Sequence, residues 1–213
     1  MGAALHSLAR RLPTIVSIID IGASNGMWTE AALDYFPHCQ YLLIEAQPVH
    51  APALTQFCRE HPNTSCVLAA AGASVGEIYF DASEPLGGVA GYTPFSANNI
   101  QVPVTTVDVQ TRAHELLGPY LLKLDTHGFE VPIFEGASTT LANTAAIVVE
   151  CYIRKFQPET LLFHEMCAWL EARGFRCIDI VDILRQPADD SLWQMDMVFV
   201  RADRPEFKNL SYQ

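Results

Sequence analysis

The sequence predicts an α/β fold built on a doubly wound, mainly parallel sheet that closes with an antiparallel C-terminal hairpin strand. Three observations predict it. Five short apolar runs with few charges recur along the chain, helix-like segments separate them, and the last two strand-like runs are joined by a turn with no room for a helix. Of the 213 residues, 50% are hydrophobic, which suits one compact core, so residues 1–213 are expected to form a single domain.

The strand-like runs are 15–21, 41–45, 65–70, 121–125 and 146–151, with the low charge of parallel strands buried on both faces. Between them, 27–36, 49–60, 131–141 and 159–173 read as helices. Pro48, Pro132 and Pro158 each stand where a helix would begin and its first amides lack partners anyway, and Gly174 follows the last helix as a stop. Residues 175–183 and 195–201 form the expected hairpin around the turn-rich stretch 186–191. The alternation breaks between 76 and 107. There, strands 76–80 and 101–107 frame a stretch rich in Gly, Pro and Ser, and an insert or substrate-covering lid is expected over 81–100, with Tyr92 and Phe95 as its aromatic residues.

The formal net charge of -11 and pI of about 4.9 make a field that repels phosphate backbones, so a nucleic-acid partner is not expected. Arg10-Arg11 and Arg154-Lys155 read as solvated surface charge. The six cysteines contain no Cys-x-x-Cys pair and no zinc-like spacing with histidine, as for small core residues in a reduced compartment. No run approaches the ~20 apolar residues of a membrane span. Cytoplasmic residence is the expectation by elimination; the oligomeric state is left open.

In an open α/β sheet, ligands bind beyond the carboxyl ends of the strands. The first strand delivers Asp20 there, followed by Gly22, Ala23, Ser24, Asn25 and Gly26, which opens a helix. A dinucleotide site requires Gly-x-Gly-x-x-Gly, and the second and third of those positions are Ser24 and Met27, whose side chains would crowd a pyrophosphate. Asp20 would repel that pyrophosphate but attract the amino group or sulfonium of S-adenosylmethionine. Glu45, with Ala46 after it, ends the second strand where a carboxylate can accept from both ribose hydroxyls. Ala70 and Ala71 leave a slot for an adenine ring, and equally suit tight packing. The expected cofactor is therefore S-adenosylmethionine, on a Rossmann-like sheet.

The candidate chemistry follows the fourth strand. Lys123 and Asp125 share one strand face, and a lysine buried among leucines requires a partner, for which Glu130 or Asp125 is available. Asp125 is assigned to holding substrate or the cofactor's amino group, and His127 is the candidate base because imidazole titrates near neutrality. Glu130 falls at the start of the next helix. A neighbouring fifth strand would put Glu150 beside Asp125. A rival reading makes Asp125, His127, Glu130 and Glu150 ligands of a divalent metal; the spacing is not diagnostic and no metal is assigned.

From Thr14 to Arg201 the chain resembles the FkbM family of methyltransferases. The resemblance is carried by the stretch from Asp20 to Thr29, Leu43-Ile44-Glu45, Lys123-Leu124-Asp125 with Gly128 and Glu130, Gly136-Ala137, Val149-Glu150, Gly174-Phe175 and Asp196 with Val198-Phe199-Val200. It implies the class I S-adenosylmethionine-dependent methyltransferase fold and a hydroxyl acceptor on a sugar, glycan, glycolipid or natural product. It also implies cofactor roles for Gly22, Asn25 and Glu45, and active-site roles for Lys123, Asp125 and Glu130. Two departures stand out. The proline common after the second-strand acid is delayed to Pro48, and His127 stands where similar proteins carry Gln or Glu, so its role as base has no support from the family.

Overall fold

The computed structural model describes residues 1–95, 98–158 and 160–208. Residues 96 and 97 of the expected insert, and Glu159 at the start of an expected helix, lie outside the described residues.

Along the described chain run α1 (Gly2–Arg11), β1 (Ser17–Ile21), α2 (Met27–Leu33), β2 (Gln40–Glu45), a single 3-10 turn (Pro48–His50) leading into α3 (Ala51–Glu60), β3 (Thr64–Leu68) and β4 (Ala70–Ala71). Then come β5 (Gly76–Asp81), β6 (Val89–Gly91), β7 (Asn99–Thr105), α4 (Val107–Ala113), β8 (Tyr120–Leu124), α5 (Glu130–Glu135), α6 (Ser138–Ala142) and β9 (Thr144–Tyr152). The last elements are α7 (Phe163–Glu171), β10 (Phe175–Arg185), β11 (Leu192–Arg201) and a 3-10 turn (Pro205–Lys208).

Among the described residues the main sheet has seven strands in the order β10-β11-β9-β8-β1-β2-β3. Strands β9, β8, β1, β2 and β3 pair in parallel, and β11 runs antiparallel between β9 and β10. This is the doubly wound, mainly parallel arrangement with a reversed hairpin strand that the pattern predicts. Strand β11 lies one place in from the edge, which β10 occupies. The apolar runs became strands because β1 and β8 are buried along their whole length, as central parallel strands must be.

Two helices were not anticipated. In α1 the apolar face Ala4, Leu5 and Leu8 is buried, a helical spacing that the flanking arginines mask in a short N-terminal stretch. Helix α4 begins where the strand 101–107 was expected to end: the Thr106 side chain accepts from the Val109 amide at 3.1 Å, a helix cap that starts the element. The expected helix 131–141 is two helices. A side chain at Gly136 would sit 2.0 Å from the Gly72 carbonyl oxygen, so the chain turns there against a neighbouring backbone.

A second sheet, β4-β7-β5-β6, lies over the same core. Its Ile78, Phe80, Ala90, Val102 and Val104 pack in one cluster with Ile21 and Ile44 of β1 and β2 and with Leu122 and Leu124 of β8. Strands β5 and β7 therefore pair with each other rather than merely frame a loop, and β6 extends them into the expected insert. This sheet forms a roof above the carboxyl ends of β1, β2 and β8.

Candidate active site

Beneath that roof is a cavity of about 280 Å³, floored by residues 22–25, 45–47 and 69–71 and closed above by Phe80, Leu86, Gly88 and Ala90. Gly22 has φ +75, and a side chain there would lie 2.0 Å from the Asp125 carbonyl oxygen, so only glycine lets the β1 and β8 tips come together. Buried Glu45 turns into the cavity with both carboxylate oxygens engaged, one accepting from the Ser24 amide at 2.7 Å and the other from the Gln47 amide at 2.6 Å. Each oxygen keeps a further lone pair for a ligand hydroxyl. Ala23, Ser24, Asn25, Ala46, Ala70 and Ala71 line the same space.

Two expected cofactor contacts stand elsewhere. Gly26, at φ +90, begins α2 but faces the Phe57 ring, 3.1 Å from where a side chain would start, and does not line the cavity. Asp20 is sealed below the floor at 1% exposure: the Thr29 hydroxyl donates to it at 2.7 Å and the Lys123 ammonium pairs with it at 3.1 Å. Its carboxylate neutralises a buried lysine rather than meeting a ligand directly. The cause is register, since Asp20 and Lys123 lie opposite each other on β1 and β8.

Lys123 also donates to the Gly22 carbonyl at 3.1 Å and approaches Asp125 at 3.4 Å. Burial alone would push the ammonium down; the facing carboxylates of Asp20 and then Asp125 outweigh it and hold the pKa above the ordinary lysine value. Glu130 is not its partner. The Glu130 carboxylate folds back to accept from the Gly128 amide at 2.9 Å and the Thr126 hydroxyl at 3.2 Å, and burial raises its pKa. It fastens the turn after β8 and lies outside the cavity lining, which corrects its expected catalytic placement.

That turn is tight. His127 at φ +52 and Gly128 at φ +99 are both left-handed, and a side chain on Gly128 would strike the Thr160 hydroxyl at 2.3 Å. The conformation lifts the His127 imidazole to the cavity rim, where Nδ1 meets the Gly88 carbonyl at 3.1 Å. A carbonyl only accepts, so Nδ1 carries a hydrogen, and Nε2 is the nitrogen that faces the carboxylates of Asp125 at 3.9 Å and Glu150 at 3.8 Å. Glu150 in turn accepts from the Tyr152 hydroxyl and the Gln194 side-chain amide. Burial, reinforced by the charge of Asp125, pushes Glu150 up to about 9. Asp125 is held below its ordinary value because Lys123 and then His127 outweigh the effect of burial. Asp196, opposite Glu150 on β11, is pushed up to about 7 by burial and Asp125.

The roof is fastened to the floor by side chains the sequence did not single out. Gln47 donates to the Glu84 carbonyl at 2.8 Å, His50 meets the Pro85 carbonyl at 2.7 Å, and Gln157 donates to the Ala90 carbonyl at 2.7 Å. Only the position of Gln47 and His50 just after Glu45 hinted at proximity to the site. Tyr92 packs at 5.5 Å from the Phe129 ring, which places one of the expected lid aromatics against the turn after β8.

The geometry agrees with what the chain is similar to. The family model for the methyltransferase FkbM domain matches residues 20–177. The solved methyltransferase FkbM from Methylobacillus flagellatus KT superposes with a TM-score of 0.57 at 14% identity, covering 87% of this chain and 43% of that one. This chain thus spans less than half the length of that relative. The fibrillarin pre-rRNA processing protein of Methanococcus jannaschii superposes at 0.55 with 16% identity over 89% and 68% of the two chains. The N-methyltransferase NodS of Bradyrhizobium japonicum WM9 does so at 0.50 with 12% identity over 95% and 94%. These likenesses concern the fold alone, and no curated protein matches the sequence. With the family model covering most of the chain and the cavity lying at its first and fourth parallel strand tips, the chain belongs to the FkbM family of methyltransferases.

Proposed function

We propose that the protein transfers a methyl group from S-adenosylmethionine to a hydroxyl of a sugar, glycan, glycolipid or natural-product small molecule. The observation that carries this reading is one cavity with Glu45 at one side and the Asp125–His127 edge at the other. The residues present fit the cofactor: Glu45 has lone pairs for two ribose hydroxyls, Ala70 and Ala71 leave room for a flat ring, and Asp125 offers negative charge to a sulfonium or ammonium. When bound, the cofactor supplies a methyl whose bond to sulfur breaks as the bond to the acceptor oxygen forms, leaving the electron pair on sulfur. The chain's own work is to align the acceptor and remove its proton. His127 is suited to that because Gly88 fixes its tautomer and leaves Nε2 open toward the rim. Lys123 holds the strand tips under this edge.

A nicotinamide dinucleotide is the weaker alternative, since acidic groups and the side chains of Ser24 and Met27 stand where a pyrophosphate would lie. The net charge of -11 favours a small-molecule or glycan acceptor over nucleic acid. The free cysteines fit a reducing compartment such as the cytoplasm, and among the described residues no helix is long and apolar enough to cross a membrane. Isothermal calorimetry tests the cofactor: S-adenosylhomocysteine is expected to bind one per chain and NAD not at all. Binding of NAD in its place would overturn the reading.

A further inference from the structure

The rim of the cavity holds a constellation that methyl transfer by itself does not require. Asp125, His127 and Glu150 each present a ligating atom, all within 4.8 Å of one another. They come from two strand ends and a left-handed turn, so the convergence is tertiary rather than a run of surface acids. His127 Nε2 stands 3.9 Å from Asp125 and 3.8 Å from Glu150. A point equidistant from three donors at such separations lies about 2–2.5 Å from each, the span of metal–oxygen and metal–nitrogen bonds to divalent cations.

Two further observations distinguish these three side chains from a chance acidic cluster. The other nitrogen of His127 is committed to a backbone carbonyl, Gly88, which leaves Nε2 as the nitrogen turned toward the two carboxylates. A histidine held this way is the usual orientation of a metal ligand. Glu150 is likewise held in place, Tyr152 donating to the oxygen that faces His127 and Gln194 to the other. Glu130 lies outside this group; its Oε1 accepts from both the Gly128 amide and the Thr126 hydroxyl and so is turned back into its own turn.

We propose that Asp125, His127 and Glu150 bind one divalent cation, with Mn²⁺ the ion that suits one imidazole and two carboxylates together. Asp125 and His127 line the cofactor cavity and Glu150 does not, so the cation would stand in the cavity wall beside the cofactor, its binding releasing to solvent the proton that Glu150 holds in the metal-free protein. It would take the acceptor's hydroxyl, or a neighbouring pair of hydroxyls, into its open positions and ease loss of the proton. The acceptor role rests on the proposed methyltransferase reading; the ion site does not. With the cation bound, the Nε2 lone pair is used as a ligand, and His127 serves as a base only in the metal-free protein.

The test uses Mn²⁺ alone, titrated into chelator-stripped full-length protein and followed by electron paramagnetic resonance, with no acceptor or cofactor present. One bound ion per chain is expected. His127→Ala and Glu150→Gln should each weaken binding by about tenfold or more while circular dichroism stays unchanged. No bound Mn²⁺ up to about 1 mM, or undiminished binding by either folded variant, overturns the site. Electron spin-echo modulation from a coordinated imidazole nitrogen in the unmodified protein needs no variant; its absence also overturns it. Calorimetry with S-adenosylhomocysteine on the same samples keeps the two readings apart, because Mn²⁺ binding without it fails only the methyl-donor assignment.

Discussion

Two acidic regions flank the same lysine, and they differ in one respect that decides what each can do. Below the floor, Asp20 is 1% exposed and is closed off by Thr29 and Lys123. At the rim, the Asp125 side chain is 39% exposed and shares its surroundings with His127 and Glu150. A charge buried to that degree leaves no open space for a ligand, so the floor is structural. A charge left half open in a low-dielectric crevice interacts strongly with whatever enters. The lesson is that identical residue types one strand apart divide into scaffold and chemistry by burial.

Substitution of Lys123 should break this contrast most severely. Lys123→Met keeps much of the stem but leaves Asp20 buried without its cation, and a cost of about 3–5 kcal/mol is expected in denaturant unfolding. Asp125→Asn, at the open rim, should cost under about 1 kcal/mol. Adding Asp20→Asn to Lys123→Met should restore much of the loss, since it removes the orphaned charge. Equal costs for the two single substitutions would erase the distinction between floor and rim. At the rim the response should be functional: His127→Ala is expected to cut turnover by about 10²-fold with S-adenosylhomocysteine affinity and melting temperature nearly unchanged. Turnover at the unmodified level would remove His127 from the chemistry.

The mainly parallel sheet was legible because its strands and helices are local. A strand ending in Gly22 and another ending in Glu45 can be read from short runs of residues, and parallel pairing carries both to one edge. The reversed hairpin was legible too, since no helix fits between β10 and β11. What escaped depends on contacts between distant segments. Asp20 looked like a ligand residue, and only its register with Lys123 spends it on the scaffold. Glu130 looked catalytic within a motif, yet its carboxylate closes its own turn. Glu150 was expected beside Asp125 from strand alternation, whereas Asp196 came opposite it only through the pairing of β11 with β9. Nothing in the spacing tells which carbonyls of 84–90 the side chains of Gln47, His50, His127 and Gln157 will hold.

The cofactor side allows a smaller, cleaner comparison. Glu45→Ala removes a carboxylate that is positioned by the Ser24 and Gln47 amides and faces the cavity. S-adenosylhomocysteine affinity should fall about tenfold, or ~1.4 kcal/mol, with Mn²⁺ binding retained. Unchanged affinity in calorimetry would show that Glu45 serves only the two backbone amides.

The smallest effect separates floor from rim by pH. Burial, and then Asp125, hold Glu150 at about 9, and burial holds Asp196 at about 7. Both folded values lie above those of an unfolded carboxylate, so the folded chain binds these protons more tightly. The stability they contribute is complete below the ordinary carboxylate range and is lost as pH rises through about 7 and then about 9. In the chelator-treated protein the melting temperature is therefore expected to decline from about pH 4 to about pH 9, more steeply below about pH 7, where both groups contribute. Asp196→Asn should flatten the lower part of that decline and Glu150→Gln the upper part. The floor should contribute nothing to the slope, because the carboxylates of Asp20 and Asp125 keep Lys123 protonated throughout the window. A slope that survives in both variants would mean that the titrating groups lie outside the rim, and that its acids are not held protonated by burial and by one another.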